Sequence, residues 1–71
     1  MSQRYYVNSN PQSDGYHEVH VDNDSCPYPP AVGNRVDLGW HDNCQSANSA
    51  ARSRYPLVDG CFYCNRNCHT R

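Results

Sequence analysis

The chain has 71 residues, a formal net charge of −1 and a charged fraction of 18%. A chain of this length forms at most one small domain, in the size range where a hydrophobic core alone gives marginal stability. It has no lysine, and its six arginines are scattered between Arg4 and Arg71, which excludes the basic stripe by which proteins grip a phosphate backbone.

The apolar content is low for a folded domain. Leu, Ile, Val and Phe make up nine of the 71 residues, about 13%, and a content below about 20% together with high net charge is typical of disorder. Net charge is low here, however, and six Tyr, one Trp and one Phe are present, whereas disordered chains have few aromatics. The composition therefore predicts one folded mini-domain, residues 1–71, whose small core is stapled by a metal or by disulfides.

The first half of the chain predicts a β-hairpin. Residues 4–7 are aromatic and β-branched, as strands usually are. Residues 8–15 are rich in Asn, Pro, Asp and Gly and predict a loop. Residues 16–21 then alternate, so that the two valines share one face of a second strand while Glu18 and His20 share the other. We expect the two strands to pair in antiparallel fashion.

An irregular segment and a third strand follow. Residues 22–34 contain three prolines and a glycine, which rules out regular structure there. Residues 35–40 alternate again and predict a strand with its apolar side chains pointing inward, namely Val36, Leu38 and Trp40.

A helix is predicted after the third strand. Asp42 is the expected N-cap, with Gln45 three residues later completing a capping-box-like pair, and Pro56 ends the helix. The remaining residues, 57–71, form a turn that carries cysteines. The predicted fold class is α+β, a small three-stranded antiparallel sheet with one helix and a C-terminal zinc knuckle. The helix face expected to point inward consists of Cys44, Ala47, Ala51 and Tyr55.

Whether a metal ion or disulfide bonds stabilise the core depends on the cellular compartment. The N-terminal residues lack the apolar region of a secretory signal peptide, and no stretch is long and apolar enough to cross a bilayer. These features predict a cytoplasmic protein, in which thiols stay reduced and clustered cysteines bind metal. Five cysteines also leave at least one thiol outside any internal disulfide set. Disulfides and inert buried thiols remain alternatives, and a secreted precursor would favour disulfides.

The clearest chemical motif is the C-x-x-C pair Cys61 and Cys64. Two intervening residues let a tight turn aim both thiolates at one ion at about 2.3 Å, and Gly60 permits the turn conformations that this requires. Thioredoxin-like redox sites share the spacing, but they open a helix within a βαβ unit. Here the motif follows the predicted helix, so redox catalysis is disfavoured.

A zinc site needs two more ligands from upstream in the chain. His20 leaves the second strand and Cys26 lies in the following loop, so both are candidates, although His20 alternatively is an exposed strand histidine. Cys68 or His69 is the alternative to His20. Four protein ligands leave no position open for water, which makes the site structural. The predicted ligands are His20, Cys26, Cys61 and Cys64.

Cys44 has three possible roles. Its place on the inward face of the helix favours packing as a small apolar residue. Near a helix N-terminus an exposed thiol would instead be reactive. A disulfide between Cys44 and Cys68 is feasible under oxidising conditions.

These features together resemble the Ada-like zinc-binding domain. The resemblance rests on His20, Cys26, the strand that includes residues 34–36, an alanine-bearing helix and the Gly-Cys-x-x-Cys at residues 60–64, within residues 16–64. It implies a structural zinc held by one His and three Cys beside a small sheet and a helix. In the bacterial repair member a cysteine at the first ligand position accepts a methyl group, but His20 stands there, so methyl transfer is not implied. The chain is also similar to short bacterial proteins, which implies no function.

The sequence therefore predicts a small structural-zinc binding module without catalytic activity, whose partner is another protein. One alternative is a protein inhibitor of phage or mobile-element type. Another is a nucleic-acid-binding zinc module, in which arginines and aromatic side chains stack on bases. No membrane association and no small-molecule substrate are expected. The aromatics of the third interpretation are Tyr5, Tyr6, Phe62 and Tyr63.

Overall fold

The computed structural model describes residues 2–23 and 26–70. The strands are β1 (Gln3–Asn8), β2 (His17–Val21), β3 (Arg35–His41) and β4 (Val58–Gly60), and the α-helix is α1 (Cys44–Arg52). Two short 3-10 turns, at Val32–Asn34 and Arg66–Cys68, complete the regular structure. The four strands form one sheet in the order β3-β1-β2-β4.

The predicted hairpin is confirmed, and it separates two faces of the sheet. β1 and β2 pair antiparallel, with Tyr6 opposite His20 and Val7 opposite Val19. Val7 and Val19 lie in the hydrophobic core and are fully buried. Because neighbouring residues of a strand point to opposite faces, Tyr6 and His20 lie on the face away from that core.

The three predicted strands pair antiparallel, but the prediction that they make up the whole sheet is wrong. The sheet has a fourth strand, β4, which pairs parallel to β2 with Asp59 beside Glu18. The segment was predicted to be part of a turn, because three residues with a single β-branched side chain carry almost no alternation. Its pairing comes from the chain path: α1 carries the chain across the sheet and returns it along the free edge of β2, as parallel strands require.

The third strand is confirmed, but the inward position of Trp40 is wrong. Tyr5 pairs with Gly39 while Tyr6 pairs with Asp37, so Leu38 is an extra residue in β3. Gly39 has a φ of 82° at this bulge, a conformation that favours glycine. The extra residue reverses the alternation beyond it, and Trp40 is therefore 67% exposed.

The helix is confirmed, with corrections at both ends. Its N-cap is Asn43, whose side chain accepts a hydrogen bond from the Ser46 backbone N–H, in place of the predicted Asp42. It ends at Arg52, so Tyr55 lies beyond it, although Tyr55 still packs against the core. Ala47 and Ala51, both fully buried, let α1 lie close to the sheet. In the described part of the chain no helix has the length and apolar character to span a membrane.

A disulfide joins Cys44 in α1 to Cys68, with their Cα atoms 6.1 Å apart. Cys44 packs in the core as the inward helix face predicts, and it does so as a disulfide-bonded residue, the third of the roles considered. Both cysteines also belong to the core. The bond joins the start of α1 to the segment that follows β4. That segment holds three of the five cysteines.

Candidate metal centre

The ligand atoms of His20, Cys26, Cys61 and Cys64 all lie within 4.8 Å of one another. Sγ of Cys26 is 3.6 Å from Sγ of Cys61 and 3.7 Å from Nδ1 of His20. Sγ of Cys64 is 3.4 Å from the same Nδ1 atom. The structure therefore brings together all four residues that the sequence singled out.

Three of the six separations among the four donor atoms match the edges of a tetrahedron around one ion, and the other three are at most 4.8 Å. Metal–sulfur bonds of about 2.3 Å and metal–nitrogen bonds of about 2.0 Å give sulfur–sulfur edges of about 3.8 Å and sulfur–nitrogen edges of about 3.6 Å. The three measured separations lie between 3.4 and 3.7 Å. An ion with tetrahedral coordination fits among the four donor atoms with only small side-chain movements.

Strand β2 presents His20 on the face of the sheet that is turned away from α1. The imidazole is 1% exposed, and the Tyr6 ring stacks on it with centroids 5.2 Å apart and planes at 18°. The Arg35 guanidinium lies over the Tyr6 ring of this stack, 4.9 Å from the ring centroid. The plane of the His20 ring is thus set by packing.

The knuckle itself is residues 61–68, which follow β4 and are tied to β2 by hydrogen bonds. The Cys61 N–H donates to the Val19 carbonyl over 2.9 Å, and the Asn65 side chain donates to the same carbonyl over 3.2 Å. The Val21 N–H points at Sγ of Cys64, 3.4 Å away. These bonds place Cys61 and Cys64 at the end of β2, next to His20.

Gly60 matters for a reason other than the predicted one. A Cβ atom there would lie 2.5 Å from the Asn65 carbonyl oxygen and 2.8 Å from the Cys68 carbonyl carbon. Among the described glycines only Gly15 and Gly39 have a positive φ, so a special turn conformation is not what Gly60 supplies. Its missing side chain lets the knuckle fold back directly onto β4.

In the cluster without an ion, burial favours the neutral forms of the imidazole and of the thiols. Burial lowers the pKa of His20 to about 4, with a smaller contribution from the Arg35 charge, so the imidazole is neutral and has a lone pair to give. Burial also raises the pKa of Cys61 and Cys64 above the ordinary value. Thiolates in this buried place need a cation beside them to offset the loss of solvent. A coordinating metal ion supplies that charge and deprotonates the thiols.

The alternative ligands lie elsewhere. Cys68 is held in the disulfide, and Nδ1 of His69 lies 2.9 Å from the Gly60 carbonyl oxygen and 3.3 Å from an Asp59 carboxylate oxygen. Among the residues that the structure describes, neither belongs to the cluster. Sequence reasoning passed over two residues at the site. One is Asn65, for which no sequence signal existed, and the other is Glu18, whose position two residues before His20 on one strand was such a signal.

Three aromatic side chains beside the cluster are exposed to solvent. Tyr28, Phe62 and Tyr63 are 68%, 41% and 56% exposed. The Tyr63 ring contacts both others, with centroids 5.0 and 5.1 Å away, and the Arg66 guanidinium lies 4.6 Å from the Phe62 centroid. We refer to Tyr28, Phe62 and Tyr63 as the knuckle aromatic surface.

Comparison with known proteins finds no match: no family model matches the chain, and neither a curated protein nor a solved structure matches it. The resemblance to the Ada-like zinc-binding domain therefore stays a prediction. The four-residue cluster and its geometry are the observations that bear on function.

Proposed function

We propose that this protein is a small binding module without catalytic activity, stabilised by a structural zinc ion. The observation that carries the proposal is the cluster of one imidazole and three thiols, in which His20, Cys26 and Cys61 are buried and Cys64 is half-buried, with donor atoms within 4.8 Å of one another. Sulfur and imidazole donors suit zinc, whereas calcium and magnesium prefer oxygen. With four protein ligands the ion has no open position, so it supplies cross-linking and no reaction at a bound water.

The cross-link adds to the stability that the small core and the disulfide provide. The ion would join β2 through His20, the irregular loop through Cys26 and the knuckle through Cys61 and Cys64. Binding of a structural zinc contributes on the order of 10 kcal/mol to folding. For a chain in which small and β-branched residues form most of the core, this contribution is comparable with the whole stability of an ordinary domain.

Native mass spectrometry with and without a strong chelator tests the proposal. We expect one zinc ion per chain in the protein as purified, its loss on chelation, and its return when one equivalent of zinc is added. Cys64→Ser serves as the matched variant, since it removes one donor, and it should not retain the ion at the same zinc concentration. A wild-type protein that takes up no zinc and melts at the same temperature with and without chelator would refute the proposal.

The partner of this module is another protein, and it contacts the knuckle aromatic surface. Exposed tyrosines and phenylalanines that sit side by side on a rigid support are typical of the centre of protein interfaces. Because the zinc fixes the knuckle, it also fixes Phe62 and Tyr63 in the arrangement that the partner recognises. Zinc removal should therefore abolish binding of the partner as well as lower stability.

Nucleic-acid binding is the second candidate, favoured by the position of Arg66 over the exposed Phe62 ring. Tyr5 and Tyr6, which the sequence also offered for base stacking, are each 5% exposed and do not reach a ligand. The side chains available for base stacking are thus those of Phe62, Tyr63 and Arg66. Titration with single-stranded oligonucleotides at low and high salt separates the candidates, since nucleic-acid binding weakens steeply with salt and no binding at low salt eliminates it.

A further inference from the structure

The two nitrogens of the His20 ring face different surroundings. Nδ1 points into the cluster, 3.4 Å from Sγ of Cys64 and 3.7 Å from Sγ of Cys26. Nε2 points away from it and is buried, and it has no hydrogen-bond partner among the described residues. If His20 coordinates an ion, Nδ1 is therefore the ligand atom and Nε2 carries the ring proton.

One carboxylate lies on the Nε2 side. Oε1 of Glu18 is 3.7 Å from Nε2 of His20. Residues two apart on a strand share a face, so β2 presents the Glu18 and His20 side chains side by side. Glu18 is also sheltered from solvent, with a side chain that is 19% exposed, which keeps it near the ring.

The neighbouring carboxylate on the same side is already engaged. Asp59 stands beside Glu18 in the register of β2 and β4, and it is buried. Its Oδ1 accepts hydrogen bonds from the backbone N–H and the hydroxyl of Thr70, over 2.9 and 3.1 Å, and its Oδ2 lies 3.3 Å from Nδ1 of His69. Asp59 holds the C-terminal segment, whereas the Glu18 carboxylate lies on the Nε2 side of the His20 ring.

We propose that Glu18 is a positioning residue for the metal centre: its carboxylate accepts the Nε2 proton of His20, which keeps Nδ1 bare and aimed at the ion. The inference rests on the proposed zinc site. The 3.7 Å between Oε1 of Glu18 and Nε2 of His20 is longer than a hydrogen bond, so the Glu18 side chain must move toward the ring when the proton is shared. A ligating histidine commonly donates its second N–H to a carboxylate, which fixes the ring and strengthens the metal bond.

The test compares Glu18→Ala and Glu18→Gln with wild type. Asp37→Ala is the matched control, because it also removes one carboxylate from this sheet, from an exposed position where Asp37 pairs with Arg4. Zinc affinity is measured by competition with a chromophoric chelator. We expect a loss of about 10- to 100-fold for Glu18→Ala, a smaller loss for Glu18→Gln, whose amide oxygen still accepts, and a change below twofold for Asp37→Ala.

A second measurement reports the ring itself. In ¹⁵N-labelled, zinc-loaded wild type we expect Nδ1 of His20 to have the shift of a metal-bound nitrogen and Nε2 to carry a proton that exchanges slowly with solvent. In Glu18→Ala that proton should exchange faster, while the melting temperature of the metal-free protein stays unchanged. A residue with a merely structural role would lower the metal-free and zinc-loaded melting temperatures alike and leave proton exchange unaltered.

The outcomes separate this inference from the proposed function. Wild-type protein that binds no zinc overturns both. Zinc binding by wild type with equal affinity in the Glu18 variants overturns only the role of Glu18. Coordination through Nε2 instead of Nδ1, seen in the ¹⁵N shifts, also overturns the role of Glu18, since the carboxylate would then lie on the metal side of the ring.

Discussion

Loss of the disulfide between Cys44 and Cys68 should remove a large part of the stability. The bond closes a loop with a sequence separation of 24 residues. The loss of chain entropy in the unfolded state for a loop of this size corresponds to about 3.5 kcal/mol. For a domain of this length such a loss lowers the melting temperature by roughly 15 to 25 °C.

The measurement is thermal and urea unfolding of one protein, oxidised and reduced, at a fixed excess of zinc. Comparing two redox states of the same sequence leaves the packing of the two sulfurs nearly unchanged. A phosphine reductant is suitable, because dithiols bind zinc themselves. The double variant Cys44→Ala with Cys68→Ala is the control, and its melting temperature should not respond to the reductant.

A thiol count checks the premise. Oxidised protein that is unfolded in the presence of chelator should expose three reactive thiols, those of Cys26, Cys61 and Cys64. Five reactive thiols, or a wild-type melting temperature that the reductant does not shift, would show that the reasoning about the disulfide is wrong.

Three further predictions concern the metal centre and its support. Cys61→Ser and Cys64→Ser should each lower zinc affinity by orders of magnitude in the chelator competition assay, because both sulfurs come from one turn and the cluster has no fifth donor among the described residues. Gly60→Ala should lower the free energy of unfolding in urea by about 1–3 kcal/mol, since the new methyl group meets backbone atoms within 3 Å, whereas Gly33→Ala, where nothing lies within 4 Å, should be nearly neutral. Metal-free, disulfide-bonded protein should lose stability as the pH falls from 6.5 to about 4, because the unfolded chain protonates His20 while the folded state keeps it neutral. His20→Gln should flatten that dependence, and an unchanged slope would contradict it.

The site was more predictable from sequence than the sheet. The spacing of a C-x-x-C pair predicts two metal ligands, and the alternation of a strand predicts that a histidine lies on its outward face. Each of these signals is contained in a few residues. Their assembly then needs only that β2 and the knuckle meet. The sequence could not show that β4 brings β2 and the knuckle together. A strand of three residues is too short for an alternating pattern and forms only through its pairing with a neighbouring strand.

Two other errors have physical causes of the same kind. Trp40 was expected inside because alternation was extended through Gly39, and a single extra residue at the bulge reverses every side chain beyond it. The N-cap was assigned one residue early, since Asp42 and Asn43 are both good caps and only the backbone geometry decides between them. Local patterns thus located these elements, and the choice of face and end depended on contacts made by the folded chain.

The division of the five cysteines has a consequence for how the protein matures. A newly made chain with five free thiols can oxidise into many wrong pairs, several of them between neighbours such as Cys64 and Cys68. An ion that takes up Cys26, Cys61 and Cys64 first acts as a protecting group, and it leaves Cys44 and Cys68 as the one remaining pair. If the proposed zinc site forms, the order of events selects the product: metal before oxidant gives a single species, and oxidant before metal gives a mixture in which only the molecules with the Cys44–Cys68 pair keep all three site thiols.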